Sequence, residues 1–131
     1  MMYMAPEEWG FNEKSRGISE KADVYALALI INEMLTRRRP WRVPPGGYAF
    51  ACIAMELQEG KRPWIDPQTP VEMQNLIKRM WSEDPHRRPS ASDVVKILER
   101  MIEQELQRIG VPVERKRSIG TSVDTEYGMT L

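Results

Sequence analysis

The stretch Asp23–Leu35, which reads DVYALALIINEML, decides how the rest of this 131-residue chain must be arranged. A helical wheel drawn through it is apolar on nearly every side, with only three polar interruptions. A surface helix normally has one apolar stripe and one polar face, so a helix of this composition must be surrounded by other protein elements or by lipid. The unbroken apolar run Val24–Ile31 is far shorter than the roughly 20 residues that cross a bilayer, which favours protein as the surrounding. We therefore predict the buried central helix of a globular domain over about residues 22–36.

The composition argues against several classes of function. The 19 basic and 19 acidic residues give a net charge of zero, whereas general nucleic-acid or membrane-surface binders carry a basic excess. Cys52 and His86 are the only residues of their types, so the chain has neither an internal disulfide nor a Cys/His zinc site. The first ten residues have no secretory-signal pattern. We expect a cytoplasmic protein with no metal, no nucleic acid and no membrane partner.

Two further helices are predicted after the central one. The first is predicted over residues 48–58, which read YAFACIAMELQ, and Gly60 ends it. Thr69 and Pro70 predict the start of the next helix, with Thr69 as its cap and the proline in the first turn. Apolar residues then recur at the spacing of one helix face, namely at Met73, Leu76, Ile77, Met80 and Trp81.

A fourth helix should begin at a capping box formed by Ser90 and Asp93 and run to about Ile109. Its inward positions are predicted to be Val94, Ile97, Leu98, Met101 and Ile102. The first 20 residues contain no periodicity, and residues 111–131 have few apolar side chains and no period. The predicted fold is therefore all-α, with four main helices in a domain over residues 1–109 and a disordered tail over 110–131.

Three segments resemble motifs of eukaryotic protein kinases. Tyr3–Glu7, which reads YMAPE, resembles the APE motif that ends the kinase activation segment. Ser19–Leu27 resembles the entry to kinase helix F, and Met80–Pro89 resembles the segment between helices H and I. The motifs occur in the family's order and spacing, and their spelling is closest to the tyrosine kinase and tyrosine-kinase-like groups. The resemblance covers roughly residues 3–105 and implies the distal part of a kinase C-lobe.

The resemblance implies structural roles at eight positions. They are Ala5, Pro6, Glu7, Asp23, Ile30, Met34, Trp81 and Arg88. Glu7 would pair with Arg88, and Trp81 would pack near that pair. A bidentate arginine–carboxylate bond is a strong interaction, whereas two surface charges would pair weakly.

The remaining implied roles concern the central helix. Asp23 would accept hydrogen bonds from the backbone of a catalytic loop, although a carboxylate at a helix start also has a purely local explanation. Ile30 and Met34 would anchor the hydrophobic spines of a kinase. Ala28 departs from the family pattern, which usually has glycine there.

The sequence contains none of the motifs that kinases use for phosphoryl transfer. These are a glycine-rich loop, a strand lysine, a catalytic-loop Asp and Asn, and a DFG aspartate that holds magnesium. His86-Arg87 is followed by Arg88 rather than by aspartate. We therefore expect no catalytic, cofactor-binding or metal-binding residue in this chain, and ATP and magnesium are implied only for a complete kinase domain.

Two functions remain open. The chain is either the peptide-docking and scaffold part of a protein kinase domain, or a non-catalytic helical interaction module derived from one. In both cases the partners are proteins. If the helix that precedes helix F in the family is missing, part of the apolar surface of residues 23–35 should be exposed and favour self-association. A helix-turn-helix reading of residues 71–105 is disfavoured because neither helix has a basic face.

Overall fold

The computed structural model describes residues 2–10 and 19–112, and in this part of the chain it is entirely helical. The α-helices are α1 (Glu20–Thr36), α2 (Ala49–Gln58), α3 (Val71–Met80) and α4 (Ala91–Arg108), with 3-10 turns at Pro6–Trp9 and Pro85–Arg87. The predicted all-α fold with four main helices is confirmed. The chain divides into two compact units, Met1–Ile97 and Leu98–Leu131. Most of the predicted tail, from residue 113 onward, lies outside the described residues.

Helix α1 is buried on one face and exposed on the other. Its buried residues are Ala22, Val24, Tyr25, Ala28, Leu29 and Asn32. The opposite face exposes Leu27 (39%), Ile30 (43%) and Met34 (73%), and Leu35, near the end of the helix, is 44% exposed. The prediction of a helix buried on all sides is therefore wrong for this face, because no described residue covers it. Part of the apolar surface of residues 23–35 is therefore exposed among the described residues.

Helix α3 packs its apolar face against α1 and completes the core of the first unit. Leu76, Ile77 and Met80 are at most 1% exposed. The predicted cap at Thr69 is wrong, since Pro70 occupies the N-cap position with an extended backbone (φ −49°, ψ 136°). Thr69 is instead buried in the preceding turn, where its N–H donates to the Asp66 carbonyl at 2.9 Å.

Residues 2–10, the described start of the chain, contain a regular turn where the sequence predicts an irregular stretch over residues 1–20. A 3-10 turn forms at Pro6–Trp9, because the Ala5 N–H donates to the Glu8 carboxylate at 2.7 Å and the turn ends at Gly10 in the left-handed region (φ 72°). The Trp9 ring lies 4.8 Å from the ring of Phe50 in α2. This contact holds the turn beside α2.

The predicted capping box at the start of α4 is confirmed. The Asp93 N–H donates to Ser90 Oγ at 3.1 Å, and the Ser90 hydroxyl donates to the Asp93 carboxylate at 2.7 Å. The hydrogen bonds that the Ser90 hydroxyl and the Ser90 N–H donate to the Asp93 carboxylate lower the pKa of that carboxyl. Of the predicted inward positions Val94 is buried, but Ile102 is 58% exposed. The prediction for Ile102 is wrong because the described part of its unit contains no second element to cover it.

Candidate functional site

The Arg88 guanidinium is buried and forms a bidentate ion pair with Glu7. Its Nη1 donates to Glu7 Oε1 at 2.6 Å, and its Nη2 donates to Glu7 Oε2 at 2.8 Å. The Arg88 side chain is 0% exposed and the Glu7 side chain is 10% exposed. The pair is therefore not a weak surface contact, and the two charges interact at low dielectric with the fork geometry that is strongest for arginine.

Backbone carbonyls from two other segments satisfy the remaining donors of Arg88. Its Nε donates to the Ser82 carbonyl at 2.8 Å, and Nη1 also donates to the Lys21 carbonyl at 3.0 Å. The Lys21 ammonium in turn donates to the Arg88 carbonyl at 2.8 Å. A buried cation is tolerated only when its donors are met in this way. Arg88 thus connects the N-terminal turn, the start of α1 and the segment after α3.

Local sequence explains how both partners are held. Pro6 opens the 3-10 turn and suits its first position, which places Glu7 in the first turn with its carboxylate toward Arg88. On the other side, Asp84 caps the second 3-10 turn by accepting from the His86 N–H at 2.9 Å. Arg88 follows that turn with an extended backbone (φ −74°, ψ 138°).

Tyr25 of α1 lies between two arginines. Its ring centroid is 5.0 Å from the Arg88 guanidinium carbon and 5.5 Å from that of Arg62, distances at which cation–π attraction operates. Arg62 donates to the Trp81 carbonyl at 2.9 Å and pairs with Glu83 at 2.6 Å. The Tyr25 hydroxyl has no hydrogen-bond partner among the described residues. Burial raises its pKa to about 12, although the positive charges of Arg62 and Arg88 act to lower that pKa.

The structure brings together some of the eight motif residues and separates others. Ala5, Pro6 and Trp81 are buried beside the segments that Arg88 connects. Asp23, Ile30 and Met34 lie on the exposed side of α1. The Asp23 carboxylate makes no hydrogen bond to another described residue, so the described part of the chain does not contain the donor that the resemblance implies.

Sequence reasoning missed several contacts within the first unit. Tyr3 donates its hydroxyl to the Glu33 carboxylate at 2.5 Å, and this hydrogen bond raises the pKa of Tyr3. Lys21 and Arg62 also contribute without having been singled out. Lys21 lies inside the segment that resembles the entry to helix F, whereas nothing in the local sequence of Arg62 indicates its contacts with Tyr25 and Glu83.

The described residues show no site for a metal. No three acidic, histidine or cysteine side chains among residues 2–10 and 19–112 are close enough to hold an ion. None of the helices in the same part of the chain is long and apolar enough to cross a bilayer.

Comparison with known proteins identifies the family to which the chain belongs. The protein kinase domain family matches residues 1–98, so the chain belongs to the protein kinase domain family. It is 36% identical over 96 residues to human mitogen-activated protein kinase kinase kinase 7, which covers 73% of this chain and 15% of that protein.

Two further relatives belong to distant organisms. The probable serine/threonine-protein kinase drkC of Dictyostelium discoideum is 39% identical over 83 residues, covering 63% of this chain and 11% of that protein. The serine/threonine/tyrosine-protein kinase HT1 of Arabidopsis thaliana is 30% identical over 118 residues, covering 89% of this chain and 28% of that protein. The chain thus spans less than a third of the length of each of these relatives.

The stacking of Tyr25 between two arginines predicts a difference between two substitutions. Tyr25→Phe keeps the ring and removes a hydroxyl without a partner, so the free energy of unfolding should change by no more than about 0.5 kcal/mol. Tyr25→Leu removes the cation–π contacts and should cost about 2 kcal/mol or more. Urea denaturation measures both, with Tyr48→Leu at a 71% exposed tyrosine as the control. Equal losses in the two Tyr25 variants would refute this role for the ring.

The raised pKa of Tyr25 also sets the direction of a pH effect. Its hydroxyl titrates at about 12 in the folded chain and near 10.0 when unfolded. As the pH rises, the unfolded chain therefore releases this proton before the folded chain does. The contribution of Tyr25 to the free energy of unfolding is thus fully present below pH 10 and is lost as the pH approaches about 12. Denaturation of the Tyr25→Phe variant over the same range should show a smaller fall in stability than that of the unsubstituted chain.

Proposed function

We propose that this chain is the distal C-lobe part of a protein kinase domain and serves as its peptide-docking and scaffold portion. The complete domain would catalyse ATP-dependent phosphorylation of proteins in cytoplasmic signalling. The observation that carries the proposal is the buried Glu7–Arg88 pair, which joins residues 81 positions apart and ties the N-terminal turn to the core. The match to the kinase family over residues 1–98 supports it.

The exposed side of α1 gives the proposal its second support. Leu27, Ile30 and Met34 form an apolar stripe that no described residue covers. Asp23 lies on the same side of the helix with an exposed carboxylate. A segment carrying a catalytic loop would bury the stripe and offer backbone N–H groups to Asp23. The remainder of a kinase domain is the partner that this combination suits.

We propose further that the 131 residues alone are inactive. They contain no phosphate-binding loop and no catalytic or magnesium-binding motif, so ATP and magnesium would bind only in a complete domain. The purified chain should transfer no radiolabelled phosphate from ATP to a general protein substrate. The kinase domain of human mitogen-activated protein kinase kinase kinase 7 serves as the positive control.

A chimera tests the scaffold role itself. Residues 1–98 would replace the matching segment of that human kinase domain, and the chimera should retain magnesium-dependent phosphorylation of a protein substrate. The unsubstituted human domain controls for expression and assay conditions. A chimera that melts cooperatively and binds ATP but transfers no phosphate would contradict the proposal.

The second candidate function is a non-catalytic interaction module that associates with itself. The observation that favours it is the same exposed stripe, since Met34 alone is 73% exposed and contiguous apolar surface promotes association. Sedimentation velocity should then show a dimer whose fraction increases with protein concentration. Met34→Glu should abolish the dimer, while Gln58→Glu, at an exposed polar position of α2, should leave it intact. A monomer at every concentration would count against this function.

A further inference from the structure

A cavity of about 820 Å³ lies between the C-terminal part of α1, helix α2 and the segments 38–42 and 62–64. Its volume is within the range of protein ligand sites, which is roughly 300–1,000 Å³. Asn32 and Thr36 line it from α1, and Cys52 and Ile53 line it from α2. None of the eight motif residues contributes to this lining.

The rim of the cavity is positively charged. Arg38, Arg39 and Arg42 line it, all three are exposed, and no carboxylate in the described part of the chain pairs with them. The one acidic residue of the lining, Glu56, is paired with Lys61 at 3.3 Å. The unpaired guanidinium groups therefore attract an anionic occupant, because arginine binds carboxylates with a planar fork of donors.

The wall of the cavity contains a buried acceptor without a donor. Asn32 is 2% exposed, and its Nδ2 donates to the Trp64 carbonyl at 2.9 Å, which fixes the orientation of the amide. Its Oδ1 has no partner among the described residues. The nearby Thr36 hydroxyl cannot supply one, since it already donates to the Asn32 backbone carbonyl at 2.8 Å. This oxygen is also closed to solvent, so it lies behind the surface of the cavity and an occupant does not reach it directly.

Aromatic surface completes the site. Trp64 is 51% exposed and carries the Arg38 guanidinium 4.7 Å from its ring centroid. Trp41 is buried in the lining, where its Nε1 donates to the Met2 carbonyl at 3.0 Å. The cavity thus combines apolar walls with a cationic rim.

We propose that this cavity binds an extended acidic peptide segment of a partner protein. Its carboxylates would pair with Arg39 and Arg42 on the rim. An extended peptide presents backbone donors together with side chains that alternate in direction, so it can place carboxylates on the rim and apolar groups on Trp64. A nucleic acid fits less well because the whole chain has zero net charge. The proposal does not depend on kinase activity.

Fluorescence anisotropy with the full 131-residue chain tests the proposal. The probe is a short labelled peptide that mixes glutamate with leucine, and the same peptide with glutamine in place of glutamate is its control. The glutamate peptide should bind more tightly, and its affinity should fall with added salt. Arg39→Gln and Arg42→Gln should each weaken binding roughly tenfold, as expected for loss of a charge-assisted hydrogen bond.

Two variants separate the site from general electrostatics. Arg37→Gln makes the same charge change at an exposed residue that does not line the cavity, and it should leave the affinity within about twofold. Trp64→Ala removes the exposed aromatic surface of the lining and should weaken binding while the salt dependence stays unchanged, with circular dichroism confirming that the variant is folded. Equal affinity for the two peptides, equal loss with Arg37→Gln, or stronger binding of a single-stranded oligonucleotide would overturn the proposal.

Discussion

The buried ion pair between Glu7 and Arg88 is the interaction on which the rest of the first unit depends. Removing a guanidinium from water is costly unless a carboxylate and several acceptors replace the water. Glu7 supplies the carboxylate, and the carbonyls of Lys21 and Ser82 supply the acceptors. These groups come from three separate segments, so the cation can be buried only when all three are in place. Burial of the Arg88 charge therefore requires this arrangement of the three segments.

Helix α1 is the element against which those segments are arranged, and its two faces have different roles. The buried face supplies Tyr25 beneath Arg88 and packs against the apolar side of α3. The other face exposes an apolar stripe centred on Ile30 and Met34. A kinase scaffold and a self-associating module differ only in what covers this stripe, which is why both proposals refer to the same surface.

Much of the fold follows from local sequence. The period of apolar residues in α3 predicts which side faces the core, and the Ser90–Asp93 pattern predicts the start of α4, because both depend on groups within one helical turn. The exceptions also have local causes. Pro70 takes the N-cap position with an extended backbone, which removes Thr69 from the capping role.

The site was less predictable because its contacts join distant residues. The Glu7–Arg88 pair could be anticipated only through the resemblance to kinases. The two residues are 81 positions apart, and no local sequence pattern links residues at that separation. The helical wheel of α1 shows that its sides are apolar but not which of them is covered. It also marks Asn32 as an interruption without indicating that its carbonyl oxygen would be buried beside a cavity.

A double-mutant cycle tests most directly whether the buried pair holds the unit together. Urea denaturation would be measured for the unsubstituted chain, Glu7→Gln, Arg88→Met and the double variant. If the two charges stabilise each other in the buried pair, the double variant should lose about 2 kcal/mol less unfolding free energy than the sum of the two single losses. Losses that add to within about 0.5 kcal/mol would show that the two residues act independently and would contradict the account.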